Sequence, residues 1–117
     1  MLAEIRSALA EICQPCKWDV WQYEPTDVNT VPCVVIGRPS LVAAPRPLYS
    51  MTVPVWTIGR RLGDLDSAVE LDEITDHILA LLNAAGTVVS ILPEYRTVAD
   101  FSYPAYHIDC AVGDDLC

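Results

Sequence analysis

The stretch SAVELDEITDHILALLNAAG, residues 67–86, decides the fold, because it is the clearest secondary-structure signal in the chain. Its apolar residues recur at intervals of three and four, as on one face of a helix. They are Leu71, Ile74, Ile78, Leu81, Leu82 and Ala85. Ser67 and Glu70 have the spacing of a capping box, and Gly86 stands where helices often end. The pattern predicts a helix over residues 67–85.

Strands are predicted on both sides of this helix. Those before it are 18–23, 33–37 and 51–59. Two or three strands follow it, because 87–92 and 94–101, on either side of Pro93, form one strand or two before 105–112. Residues 102–104 are the predicted hairpin turn. At the N-terminus, Leu2, Ile5, Leu9 and Ile12 predict a short amphipathic helix.

This order, α-β-β-β-α-β-β, predicts one α+β domain over residues 1–117. Its sheet would be mixed, mostly antiparallel and about five-stranded. Two helices cannot cover both faces of such a sheet, so both are expected on one face. The other face is then solvated or meets a partner.

Prolines indicate where the regular secondary structure is interrupted. Pro54 inside a strand indicates an edge strand or a bulge, because proline cannot donate to a ladder. Three prolines over residues 38–49 predict an extended arm or loop. Residues 113–117 are predicted to be a flexible tail.

Composition excludes several classes of function. The net charge is −9, with 16 acidic and 7 basic residues, which disfavours binding to nucleic acid and to anionic membranes. No apolar run has the length of a membrane span, and the N-terminus lacks a signal peptide's uncharged core. We therefore expect synthesis in the cytosol, with reduced cysteines.

Cys13 and Cys16 form a C-x-x-C pair at the end of the first helix. A redox pair needs its first thiol at a helix N-terminus, so this position does not favour thiol chemistry. A zinc site needs four ligands, and Cys33, Cys110 and Cys117, with the two histidines, form no second close pair. We expect Cys13 to continue the helix's apolar face, and no metal or cofactor.

His107 and Asp109 lie two apart on one strand and are expected to be neighbours. No nucleophile is marked by a motif, although Ser50, Ser90 and Ser102 are present. No catalytic residue is assigned, and the chain is not expected to be an enzyme.

Read together, several segments resemble the tail terminator proteins of long-tailed bacteriophages, especially those of actinobacterial hosts. The resemblance covers roughly residues 2 to 112. Its most specific parts are PCVVIGRPS, the VPVW strand leading into RRLGDLD, and LPEYR. The chain's five cysteines, notably Cys13, Cys16 and Cys117, differ from the cysteine content expected of this family.

The resemblance implies a structural protein of the virion neck, made in the host cytoplasm. It implies a six-membered ring that caps the tail tube, ends its polymerisation and joins the tail to the head-completion, or stopper, protein. DNA would pass through the ring without specific binding. Six copies at −9 each would carry −54, which suits an acidic bore.

For such a ring, the expected subunit or partner contacts are the proline-rich arm, the paired arginines and the acidic helix face. The candidate residues are Arg38, Leu41, Val42, Leu48, Tyr49, Arg60, Arg61, Asp72 and Asp76. The alternatives are a small cytosolic thiol or zinc-binding protein that uses Cys13 and Cys16, or another neck component such as a head–tail stopper.

Overall fold

The computed structural model describes residues 2–13, 19–22, 32–43, 49–61, 65–98 and 100–112. Its elements in chain order are α1 (Leu2–Cys13), β1 (Asp19–Trp21), β2 (Cys33–Ile36), β3 (Ser40–Ala43), β4 (Tyr49–Ile58), α2 (Leu65–Ala85), β5 (Thr87–Val98) and β6 (Phe101–Val112). The α+β class and the mixed, mostly antiparallel sheet are confirmed.

All the strands belong to one sheet. Its main path has five strands in the order β1-β2-β4-β6-β5, and β3 pairs with β4 off this path. β1 and β2 are parallel, and every other pair is antiparallel. The main path agrees with the predicted strand number, and β3 is the additional strand.

The prediction of an arm or loop over residues 38–49 is wrong where Ser40–Ala43 form β3. β2 and β3 lie on the same side of β4 and act as one strand with a break. Between Ile36 and Ser40 the chain advances four residues, while the paired positions on β4 advance three. The extra residue makes a β-bulge, which accommodates one of the prolines that suggested a loop. Residues 44–48 lie outside the described ranges.

Pro54 does not mark an edge strand, because β4 lies between β2 and β6. The Pro54 carbonyl accepts a hydrogen bond from the Gly37 N–H at 2.7 Å. In a strand the N–H and C=O of one residue point to the same side, so the missing N–H of Pro54 faces the bulge. The expected bulge therefore lies in the neighbouring strand, where no donor from Pro54 is needed.

The predicted turn at residues 102–104 is also wrong. β5 and β6 form a hairpin whose two-residue turn joins Val98 to Phe101, and Asp100 in this turn has a φ of 71°. Pro104 is tolerated inside β6 because its carbonyl accepts a hydrogen bond from the residue just after β4. Its missing N–H therefore points to a place where the neighbouring strand has ended.

β5 is a single edge strand that continues through Pro93, rather than two strands. Bonded and non-bonded pairs alternate along an antiparallel hairpin, starting from the bonded Val98–Phe101 pair that flanks its turn. This alternation places the ring nitrogen of Pro93 on the side away from β6. An edge strand tolerates proline in that orientation.

Both helices pack on one face of the sheet, as predicted. Buried residues of both helices and of β2, β4 and β6 form the core of this helix face. They are Leu9, Ala10, Cys13, Val34, Ile36, Met51, Val53, Val55, Ile74, Ile78, Leu82, Ile108 and Cys110. A second buried cluster contains residues that alternate with these along the strands and so lie on the second face. Its members are Cys33, Val35, Ile58, Val98, Tyr103 and Ala105.

The predicted long helix is confirmed as α2, but it begins at Leu65. Ser67 therefore lies inside the helix, and the predicted capping box is wrong. Glu70 instead forms an ion pair with Arg60. Within the described ranges, neither helix is long and apolar enough to cross a membrane.

Candidate interaction surfaces

The edge strand β5 exposes large apolar side chains. Val89 is 64% exposed, Ile91 42%, Leu92 56% and Tyr95 76%. A register shift places Val89 as an extra residue in β5, and beyond it Ile91 and Tyr95 lie on one face of the strand and Leu92 on the other. We call these four residues the β5 edge patch. Soluble monomers usually protect such edges, so this patch is a candidate protein–protein contact.

Acidic residues of α2 lie beside this patch. Asp72 and Asp76 are exposed, as predicted, and line a cleft of about 320 Å³ with Ile91 and Tyr106. The Tyr106 hydroxyl donates to Asp72 Oδ1 at 3.4 Å. The negative charge of Asp72, followed by burial, raises the pKa of Tyr106, and Asp76 adds to the effect. The cleft therefore has a negative potential.

Arg60 and Arg61 adjoin the same region. They line a cleft of about 250 Å³ that also contains Asp72 and Tyr95. Arg60 Nε lies 2.9 Å from a Glu70 carboxylate oxygen, so part of its charge is already paired within the chain. The Arg61 guanidinium lies 4.8 Å from the ring centre of Phe101. The structure thus brings together three of the predicted contact residues, Arg60, Arg61 and Asp72.

Arg38 lies apart from this group, after β2 and therefore towards the other end of the strand order. It is exposed at the bulge and lines a cavity of about 550 Å³ with Arg6, Trp56 and neighbouring residues. Arg6 comes from α1, and its Nη2 donates to the Ile36 carbonyl at a long 3.4 Å. Its Nε is buried and has no hydrogen-bond partner within the part of the chain that the structure describes. We call this the Arg6–Arg38 cavity.

Three of the remaining predicted contact residues lie in the paired strands β3 and β4. The backbones of Leu41 and Val42 pair with β4, and Tyr49 is its first residue. Leu48 lies outside the described residues. The predicted arm is therefore part of the sheet where the structure describes it, and its role in subunit contacts stays a prediction.

His107 and Asp109 meet on the second face, as the sequence predicted. His107 Nε2 lies 3.0 Å from Asp109 Oδ1, an ion-pair distance, although the ring N–H does not point at that oxygen. Ser90 Oγ donates to Asp109 Oδ2 at 3.2 Å. On the other side of the ring, His107 Nδ1 lies 3.7 Å from Glu94 Oε2. Ser90 therefore contacts the carboxylate, whereas a nucleophile would have to contact the imidazole.

Trp56 organises the rest of this polar cluster. Its indole stacks on the His107 ring with centroids 4.8 Å apart, and its Nε1 donates to Glu94 Oε1 at 2.7 Å. The Arg96 guanidinium lies 3.8 Å from the Trp56 ring centre. Partial burial lowers the pKa of Arg96. These contacts link β4, β5 and β6 across the second face and hold the Trp56 side chain beside the Arg6–Arg38 cavity.

Three cysteines lie within the described residues. Cys13 is the last residue of α1 and is buried in the core, as predicted. Cys33 and Cys110 belong to the two buried clusters on opposite faces of the sheet, and burial raises the pKa of Cys110. Among the described residues, no group of three or more His, Cys, Asp or Glu has the geometry of a metal site. Cys16 and Cys117 lie outside those residues.

The sequence matches no protein-family model, and no curated protein is significantly similar to it. Sequence reasoning missed the β5 edge patch and Arg6. The exposure of the patch follows from the position of β5 as the last strand of the sheet. The position of Arg6 in the cavity follows from the packing of α1 near β2. The one available signal was the apolar run around Pro93, because a proline inside a strand favours an edge position.

Proposed function

We propose that this protein is a structural ring component of a phage neck, of the tail terminator type. It assembles head to tail from six copies, caps the tail tube and connects it to the head-completion protein. The segments that resemble tail terminators supply the family and the number of copies. The surface chemistry of the chain supplies an independent argument for self-association.

The β5 edge patch is the observation that carries this proposal. A twelve-residue edge strand with four exposed apolar side chains is unfavourable in a monomer. Burial of that area against protein stabilises an assembly by roughly 25 cal/mol per Å² of apolar surface, before the cost of association. The patch is therefore suited to contact a further protein chain.

The charge suits a ring that DNA must pass. Each chain carries a net charge of −9, so a ring of several copies is strongly acidic. A negative bore repels the phosphate backbone and prevents the DNA from binding to the wall. The tail tube protein and the stopper protein are the proposed partners, and the ring needs no cofactor.

Light scattering on the purified protein tests self-association. We expect a concentration-dependent assembly that approaches six chains, and Tyr95→Lys should weaken it by placing a charge in the apolar patch. Ala80→Lys is the matched control, because it adds the same charge at an exposed position of α2 that lines none of the described clefts. A wild-type monomer at every concentration would contradict the proposed ring in solution.

Electron microscopy tests the capping role. Tail tube protein encoded with this chain is polymerised with and without it, and tube lengths are measured. Capping should stop growth and place one ring at a tube end. Unchanged tube lengths would contradict the terminator role.

Metal analysis after gel filtration tests the alternative function. One zinc retained per chain would favour a zinc-binding protein that uses Cys13 and Cys16.

A further inference from the structure

The Arg6–Arg38 cavity is built to receive an anionic group. Arg6 Nε is buried and has no hydrogen-bond partner among the described residues, although a guanidinium offers five N–H donors in a planar fork. A buried donor without a partner is unfavourable, so a carboxylate that reached it would be bound strongly. The hydrogen bond that Arg6 donates to the Ile36 carbonyl is long at 3.4 Å.

The charge of this cavity is opposite to that of the whole chain. Two of the seven basic residues line it, and no carboxylate belongs to its described lining. Arg38 is exposed and Arg6 lines the same cavity, so an acidic group that enters it meets the positive charge of both side chains. In a chain of net charge −9, this local concentration of positive charge favours an acidic partner surface.

The chain itself presents such an acidic surface on the opposite side. Asp72 and Asp76 adjoin β6 and β5, through contacts with Tyr106 and Ile91. The Arg6–Arg38 cavity lies at β2 and β4, towards the other end of the strand order. Complementary surfaces on opposite sides of one subunit are what a head-to-tail interface requires.

We propose that the Arg6–Arg38 cavity of one copy binds the carboxylates of Asp72 and Asp76 of the next copy. The inference rests on the proposed ring function and assigns its interface. The β5 edge patch borders the two aspartates, so apolar burial accompanies the ionic contact. Each subunit would use its acidic side towards one neighbour and its basic side towards the other.

A charge exchange tests this pairing. Arg38→Glu and Asp76→Arg each place like charges at every contact, and each variant alone should lose affinity for itself by at least about tenfold. An equimolar mixture should assemble again, because each variant then binds only the other. Native mass spectrometry should detect rings with three copies of each. Both positions are exposed, and circular dichroism checks that each variant is folded.

The outcomes separate this interface from the proposed function. If both single variants form rings as well as the wild type does, the pairing is overturned but the proposed ring is not. Loss of assembly in both variants without recovery in the mixture would also overturn the pairing. A wild-type chain that never assembles would overturn both. Retention of a DNA duplex that is abolished by Arg38→Glu, with the ring intact, would overturn it in favour of a phosphate site.

Discussion

Thr57 and Thr75 form a buried hydroxyl pair that joins β4 to α2. Their Oγ1 atoms lie 2.7 Å apart, and Thr75 Oγ1 also lies 2.8 Å from the Leu71 carbonyl oxygen. A hydroxyl has one proton, and a carbonyl oxygen can only accept. Thr75 therefore donates to Leu71, and Thr57 donates to Thr75. This direction predicts unequal effects of removing the two hydroxyl groups.

Replacement of Thr75 by valine should be the more harmful change. It removes the acceptor of the Thr57 hydroxyl, and Thr57 is 0% exposed, so among the described residues that donor is left buried without a partner. The expected loss in the free energy of unfolding is about 1–3 kcal/mol. Thr57→Val leaves the bond from Thr75 to Leu71 in place, so the expected loss is about 0.5–1.5 kcal/mol.

The double replacement should cost less than the sum of the single ones, because no buried hydroxyl remains without a partner. Urea unfolding at one fixed protein concentration measures all three variants, since assembly would otherwise shift the midpoints. A loss of about 2 kcal/mol lowers the midpoint by roughly 1 M if the slope is about 2 kcal/mol per M. Equal losses for the single variants, or strict additivity, would refute the assigned direction.

Three further changes test other parts of the structure. Gly37→Ala would place a methyl group 2.4 Å from Trp56 Cζ3, and we expect a loss of about 1–3 kcal/mol in urea unfolding; a loss below about 0.5 kcal/mol would contradict the packing. Asp72→Asn should lower the pKa of Tyr106 towards its ordinary value, and an unchanged alkaline titration at 295 nm would contradict the contact. Burial raises the pKa of Cys110, so stability should fall as pH rises above the ordinary thiol pKa of about 8.5; an equal fall in Cys110→Ala would contradict this.

The helical parts of the fold were predictable because periodicity is a local signal. The apolar face of α2, with Ile74 and Ile78 fully buried, follows directly from spacing in the sequence. The predictions made from the prolines were wrong because they treated the effect of proline as local too. Whether a proline is tolerated in a strand depends on which neighbour its missing N–H faces, and that neighbour is set by strand order. Pro54 and Pro104 both lie where the neighbouring ladder is interrupted or has ended.

The candidate site was less predictable than the fold. Asp72 and Asp76 were identified because an acidic helix face can be recognised from sequence, and their exposure follows from the same helical periodicity. The Arg6–Arg38 cavity joins residues 32 positions apart, which meet only because α1 packs near the bulge between β2 and β3. No local pattern encodes that meeting.

The distribution of charge favours a ring over the simplest dimer. A symmetric dimer through β5 would bring the Asp72 and Asp76 pairs of two copies towards one another, and like charges at an interface are strongly unfavourable. It would also place the outward nitrogen of Pro93, which has no hydrogen to donate, in the middle of the new strand pair. A head-to-tail contact avoids both problems, because it places the acidic side of β5 against the arginines at β2. That contact leaves an unused acidic side and an unused basic side at the two ends of any open chain, so growth stops only when the ring closes.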